Sequence, residues 1–414
     1  MVSLSHPART FEENCVIWTI GLTYFFYAIG ALYIVGPVIG WLLLLLVVWR
    51  FVTADPLFQS PPLSVWIWWL SGFALLTALI IAHLQYGLGT GQLIKSIIGW
   101  AKGWGMFAVF ITVGACLTLR LDALARAANI VSLQTALITP LLVAAPFLGL
   151  PDEIWVSPLK VVGGPGPEFF SFRLYSYTPD GGLRWAYFAP WAPGAGIAAV
   201  VLFSLGMADR NLYWRAAGII GALLIVALVQ SRLALIALPF VMLAAFFLTR
   251  LDRPWVLVLG ATGCLALGLG WGMIVEAVTD AKASFDAYRS ASTAVRSSLQ
   301  AIAQHRAPEA AIWGHGIQDK GTHLVEFMPI GSHHTWNGLL FIKGYVGVIA
   351  FAIPLIWSTF ELIYRGHRAP IAQGGLCCLL GIWIYSLGEN IEILVYLFWI
   401  GLVAVGRGLA KAER

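Results

Sequence analysis

Apolar runs of about 20 residues, almost free of charge, follow one another along nearly the whole of this chain. A run of that length crosses the hydrocarbon core of a bilayer as one helix. Of the 414 residues, 59% are hydrophobic and 11% charged. A soluble domain averages roughly 45–50% apolar and about 25% charged. The balance excludes an ordinary soluble enzyme, a disordered chain, a nucleic-acid binder and a secreted disulfide scaffold. It predicts an all-α integral membrane protein, a single polytopic domain over residues 1–414. Twelve spans would use about 240 residues and leave about 170 for loops and tails.

Breaks at charge, Gly and Pro divide the runs into twelve candidate spans. They are roughly 16–35, 37–53, 64–83, 97–117, 123–149, 192–208, 212–229, 232–249, 254–275, 338–364, 370–388 and 390–409. Gly36-Pro37 is taken to separate the first two, and Gln230-Ser231 the seventh and eighth. No short apolar run followed by a small-residue cleavage site opens the chain, so the first span is expected to stay as an anchor. Cys15, Cys116, Cys264, Cys377 and Cys378 all fall in apolar stretches without ligand spacing and read as small hydrophobes.

The formal charge of +5 is too mild to suggest nucleic acid. Its distribution says more. Arg9, Arg50, Arg120, Arg126, Arg210, Arg215, Arg250, Arg253, Arg365, Arg368, Arg407, Lys411 and Arg414 belong to one set of connections and tails. The short connections of the opposite set offer only Lys95, Lys102 and Arg232. Basic residues in short loops stay on the cytoplasmic side. Both termini are therefore expected in the cytoplasm, and two long segments outside it, 150–191 and 276–337. Loops of that length are uncommon unless functional or disordered. The first is rich in aromatics, Pro and Gly. The second opens with a helix-compatible stretch and breaks at Gly314-His315-Gly316. Function is expected on this outer face.

Arg232 opens the eighth span at the outer boundary. It is either a snorkelling cation or a guanidinium aimed at an anion near the bilayer surface. Arg289 and Arg296, seven apart in the outer helical stretch, can share a helix face. Most charges in 276–334, five basic and six acidic, read as solvated surface. The segment GSHHTWNGLLFIKGYVGVIAF, residues 331–351, crowds Ser332, His333, His334, Thr335 and Asn337 where the chain re-enters the membrane. Ser332 or Thr335 would serve as an N-cap. Two adjacent histidines ask for more. A zinc site lacks the necessary partners. A general base needs a pKa near working pH, which histidine has. Glu389, Asn390 and Glu392 begin the last span. Glu389 would orient a histidine, pair an arginine, or simply favour a helix N-terminus. Arg173 and Arg184 in the first long loop belong to no motif and read equally as surface. No phosphate loop and no DxD-type acidic pair occurs, which favours metal-free chemistry without a cofactor.

These motifs resemble the O-antigen ligase/O-antigen polymerase superfamily of bacterial polyprenyl-linked glycan transferases. QSRLALIAL around Arg232 looks like its Ser-Arg-Gly-Ala-Leu-Leu pattern. VRSSLQAIAQHRAPEAAIWGHG looks like its outer-loop Arg helix followed by a Gly-x-Gly turn. GSHHTWNGLLFIKGYVGVIAF looks like its Ser-His-Asn/Ser-x-Tyr-Leu re-entry motif with a following Gly-x-x-Gly. The likeness covers about residues 230–351; the rest agrees only in topology. His334 stands where Asn or Ser is usual, Trp336 replaces Tyr and Asn337 replaces Leu.

The resemblance implies a GT-C-like fold and a metal-independent inverting glycosyltransferase in the bacterial inner membrane. The donor would be glycan on undecaprenyl pyrophosphate, and the acceptor a glycan or glycolipid hydroxyl. Membrane lipids and a chain-length regulator are the further partners to consider. By this likeness Arg232 and Arg296 engage the pyrophosphate and His333 activates the acceptor, with either histidine able to be the functional one. Arg289, His334, Arg184, Arg173 and Glu389 are candidate substrate-binding residues. The aromatic first loop leans the reading toward a repeat-unit polymerase. A ligase onto lipid A-core is the alternative, and a polysaccharide or lipid-linked transporter the third. Against a transporter, the membrane interior is almost empty of charge, with Lys343 the main exception.

Overall fold

The computed structural model describes residues 10–411, except 179–180, 274, 278, 281–289, 320–328 and 332–333, and omits the side chains of 290–297. The apolar runs fold as helices, with little sheet. In chain order these are α1 (Phe11–Gly21), α2 (Thr23–Ala28), α3 (Leu32–Val52), α4 (Leu63–Gln85), α5 (Thr90–Lys102), α6 (Trp104–Cys116) and α7 (Leu121–Ala144). Then come α8 (Ala192–Gly206), α9 (Leu212–Val229), α10 (Arg232–Leu248), α11 (Pro254–Leu269), α12 (Ser290–Arg306), α13 (Thr335–Gly366), α14 (Pro370–Ser386) and α15 (Ile391–Leu409). Seven helices are long and apolar enough to cross a membrane, or eight if Pro254–Leu269 and Trp271–Ala277, bent by 73°, form one span. The chain is thus a multi-pass, helical membrane protein. Cys264 is exposed on α11, and Cys116, Cys377 and Cys378 are buried.

Expected boundaries hold best where a local signal marks them. Gln230 takes a left-handed φ of 51° between α9 and α10, and the Ser231 hydroxyl caps α10 by accepting from the Ala234 N–H. The Gly36-Pro37 boundary is corrected. Pro37 lies inside α3, and the chain turns instead at Gly30, whose φ is 67°. Gly36 serves packing, because a Cβ there would press on the Tyr396 backbone of α15.

The centre of the bundle is α6 against α15, and every residue of α6 is buried. A side chain on Gly114 would overlap the Val403 carbonyl, and one on Gly406 would overlap Ile111. Small residues that let backbones touch are what hold helices together when lipid is as apolar as leucine.

Ion pairs gather at the end where α3, α6, α8, α13 and α15 finish. Arg50 grips Glu12 through two 2.9 Å bonds, and Glu13 accepts from the Arg120 backbone and guanidinium at 2.7–2.9 Å. Arg126 meets Asp209 at 2.8 Å. Arg407 donates to Gln59 and to the Leu119 carbonyl. Arg50, Arg120, Arg126 and Arg407, sorted into one set of connections from the sequence, therefore lie at one end of the bundle, while Arg9 and Arg414 lie outside the described residues.

At the other end the first long loop forms two small hairpins, Glu153–Val156 with Ser171–Arg173, and Ser176–Tyr177 with Leu183–Arg184. The second long loop contributes α12, which packs on α13. Gly344 interrupts α13 with φ 62° and ψ −162°, a conformation that a Cβ would make costly. The break is repaired by segment 311–316. The N–H groups of Tyr345 and Val346 donate to the Ala311 and Ile312 carbonyls at 2.8 and 3.2 Å. The N–H groups of His315 and Gly316 donate to the Phe341 and Ile342 carbonyls, both at 2.9 Å. Backbone groups freed by a helix break need such partners.

The Glu12 carboxylate is fully buried and the Arg50 side chain is only 7% exposed. Glu12→Ala leaves the buried Arg50 only its longer 3.7 Å contact with Asp55 and should destabilise by about 3 kcal/mol, while Glu12→Ala/Arg50→Met should cost less. Thermal unfolding of the detergent-solubilised protein checks the order.

Candidate functional site

Three helix starts converge at the end that carries the long loops. α10, α13 and α15 each begin there with a side-chain cap. The caps are the Ser231 hydroxyl, the His334 imidazole and the Asn390 amide oxygen. Each N-terminus carries a partial positive charge, so the region favours an anion. Arg232, half-buried, is the first residue of α10.

The turn from Leu387 to Asn390 joins these starts. The Thr335 hydroxyl and N–H both donate to the Glu389 carbonyl, at 2.6 and 3.1 Å, and the hydroxyl accepts from the Ile391 N–H. Trp336 donates its indole N–H to the Ser386 hydroxyl at 3.0 Å. Leu233, next to Arg232, packs against Gly388. On its other side Gly388 lines a cavity of about 190 Å³ with His334, Asn337, Gly338, Leu299 and Gln300. Gln304 of α12 donates to the Asn337 side-chain oxygen at 3.3 Å, and the Asn337 Nδ2 is buried with no hydrogen-bond partner among the described residues. The Glu389 carboxylate is buried and accepts from the Trp191 indole at 3.2 Å.

The helix starts that carry Arg232 and follow His334 thus lie beside the turn that carries Glu389. Position 296 lies on α12 one turn before Gln300, hence on the face that lines the cavity. Arg289 and His333 lie outside the described residues, as does the Arg296 side chain. Arg184 sits in the hairpin covering the α9–α10 turn. The Gln230 side chain donates to the Leu183 carbonyl there, and the Trp185 N–H to Leu228. Arg173 instead pairs with Glu153 at 2.8 Å, and its backbone exchanges hydrogen bonds with the Tyr27 hydroxyl. Phe169 of the same loop meets Trp191 edge-on, which links that hairpin to Glu389. Among the described residues no three His, Cys, Asp or Glu side chains cluster as metal ligands.

The capping expectation is corrected. Thr335 is the first residue of α13 rather than its cap, and Ser332 lies outside the described residues. The cap is His334, whose Nδ1 accepts from the Asn337 N–H at 3.3 Å. In this neutral tautomer the proton sits on Nε2, so His334 offers a donor rather than a base. Asn337 and Gln300 were missed as cavity residues, because neither carries a charge that a sequence reading would flag.

Burial holds the His334 pKa below its usual 6.5. The folded state therefore binds this proton less readily than the unfolded one. The stability from the neutral cap is full above about pH 6.5 and is lost as pH falls from there through the lower folded-state pKa. His334→Asn, which caps without titrating, should remove this part of the pH dependence between pH 7.5 and 5.5. His334→Ala should cost about 1 kcal/mol at pH 7.5. Melting curves at the two pH values read both effects. In comparison with known proteins, no family model matches the chain and no curated protein matches it.

Proposed function

We propose that this protein is a bacterial inner-membrane glycosyltransferase. It moves glycan from undecaprenyl pyrophosphate to an acceptor sugar hydroxyl during surface polysaccharide assembly, as a repeat-unit polymerase of the O-antigen ligase/polymerase type. The observation that carries the reading is the convergence on the Leu387–Asn390 turn of the Arg232 helix start, the His334 cavity and the helix bearing Arg296. Counting α1–α2 and the apolar helices Ala192–Gly206, Arg232–Leu248 and Pro370–Ser386 beside the longer ones brings the spans to twelve. The basic end then faces the cytoplasm with both termini, and the convergent end faces the periplasm. A GT-C-like arrangement, with loops over one face of a helical bundle, accords with this.

In this reading Arg232 and Arg296 bind the pyrophosphate and neutralise the charge that develops as the C1–O bond breaks. His333 takes the proton of the acceptor hydroxyl, whose oxygen attacks C1 from the opposite face and inverts it. Undecaprenyl pyrophosphate leaves. His334, fixed as a cap, donates from Nε2 to a sugar or phosphate oxygen. Asn337 Nδ2 offers a second donor. The folded, aromatic first loop supports the polymerase over the ligase, since it supplies a second surface for a growing chain beside Trp191.

Arg232→Ala and Arg296→Ala should each lower transfer by about two orders of magnitude or more. Arg232→Lys should rescue poorly, because an ammonium lacks the forked donors. His333→Ala should abolish extension. Chain-length profiles of surface glycan from complemented deletion strains provide the measurement. Single repeats on the acceptor support the polymerase, and polymer stranded on its lipid carrier supports the ligase. Unchanged chains in Arg232→Ala or His333→Ala strains refute the assignment.

A further inference from the structure

A second pocket, of about 380 Å³, opens at the same end of the bundle, lined by α4, α5, residues 316–318 and the starts of α13 and α15, with Leu79, Ile317 and Ile342 beside its polar residues. Gln92, Ser96 and Trp100 of α5 form one wall, Gln318 another, and Lys343 of α13 and Glu392 of α15 the floor. The volume falls in the ~300–1,000 Å³ range of small-molecule sites. Its level follows from the helix lengths. Glu392 is the second residue of α15, and Lys343 is the last before the break at Gly344, from which α13 still has a full span to run. The floor therefore lies where the spans emerge. Lys343 is nine residues from His334 on the same helix, about 13 Å along its axis.

Lys343 is 4% exposed. Glu392 is its charged neighbour. Glu392 runs past Gly103, where any side chain would displace it. A largely buried ammonium that lines a pocket gains from a ligand that supplies acceptors. The rest of the lining narrows the ligand. One cation and one anion cancel, which disfavours a phosphate. Two amides and a hydroxyl both donate and accept. The Ser96 hydroxyl is already held by the His83 Nε2 at 2.9 Å, and the Trp100 indole is fixed by the Gly72 carbonyl at 2.9 Å. The wall is thus preorganised, and it includes an aromatic ring of the kind that packs on sugar faces.

We propose that this cavity is a saccharide subsite that holds one uncharged pyranose of the acceptor glycan, with Lys343 and Glu392 reading its hydroxyl pattern. The proposal rests on the glycosyltransferase reading for the word acceptor, but sugar binding itself does not depend on it. Lys343 donates to ring or hydroxyl oxygens and Glu392 accepts from a hydroxyl, so a polyol satisfies both without adding charge. The site would select which repeat unit is extended, while the Arg232 end handles the pyrophosphate.

The test is saturation-transfer-difference NMR on the full chain in lipid nanodiscs. The probes are the methyl glycosides of glucose, galactose, mannose and N-acetylglucosamine, with phosphoethanolamine as a fifth. At least one glycoside should show transfer. Its apparent affinity should fall about fivefold or more in Gln92→Ala and in Lys343→Met/Glu392→Gln, the loss expected for about one hydrogen bond. It should be unchanged in Arg232→Ala. Gln92→Ala removes no buried charge, so it reports even if the double variant fails to fold. No glycoside signal, or signals indifferent to Gln92→Ala, overturns the subsite. A Lys343-dependent signal from phosphoethanolamine alone makes the cavity a lipid-headgroup site and overturns it as well. Glycan transfer measured in parallel separates the two readings. Binding that depends on Gln92 in a protein without transfer refutes only the glycosyltransferase reading, and transfer with binding indifferent to Gln92 refutes only the subsite.

Discussion

Backbone meets backbone where α6 crosses α15, at Gly114 and Gly406. Nothing between those helices is gained by leaving water, since lipid would serve either face equally well. The close approach itself, with its dispersion contacts, holds the pair. The rest of the molecule is hung on it. Both helices are almost wholly buried, so α3, α4, α8, α13 and α14 find their places against them. The start of α15 then presents Glu389 toward Trp191 and Glu392 toward Gly103, on different sides of one helix end. Two polar cavities on either side of the first part of α13 follow from that single placement.

Much of the architecture was legible because membrane helices obey few rules. Spans 212–229 and 232–249 were readable almost to the residue, since Gln230 and Ser231 carry the turn and the cap between them. Gly36-Pro37 misled because it obeys a local rule while serving a remote contact, the packing of Gly36 on Tyr396. The fourth span was expected from residue 97, yet α5 begins at Thr90. Its first turns are polar, and their polar face is turned to a cavity that no local pattern announces.

The candidate site divides the same way. Arg232 and the residues near 334 were legible because each stands at a helix start, where polarity interrupts an apolar run. The role of His334 was not, because histidine is an unusual cap and its neighbour Asn337 is uncharged. Lys343 stood out as a lone charge. Its companions did not, because Gln92, Ser96 and Glu392 come from segments about 50 to 250 residues away and meet only through packing.

The pairing of segment 311–316 across the break at Gly344 sets a length standard in the chain. Four backbone hydrogen bonds fix the register between 311–316 and 341–346. One residue inserted or removed between Ala311 and Gly316 would misalign these donors and acceptors. Thr178 and Gly182 of the second hairpin, by contrast, bond only within that turn among the described residues. Tolerance to insertion should therefore differ sharply between two loops on one face, and tags or reporter domains belong in the hairpin.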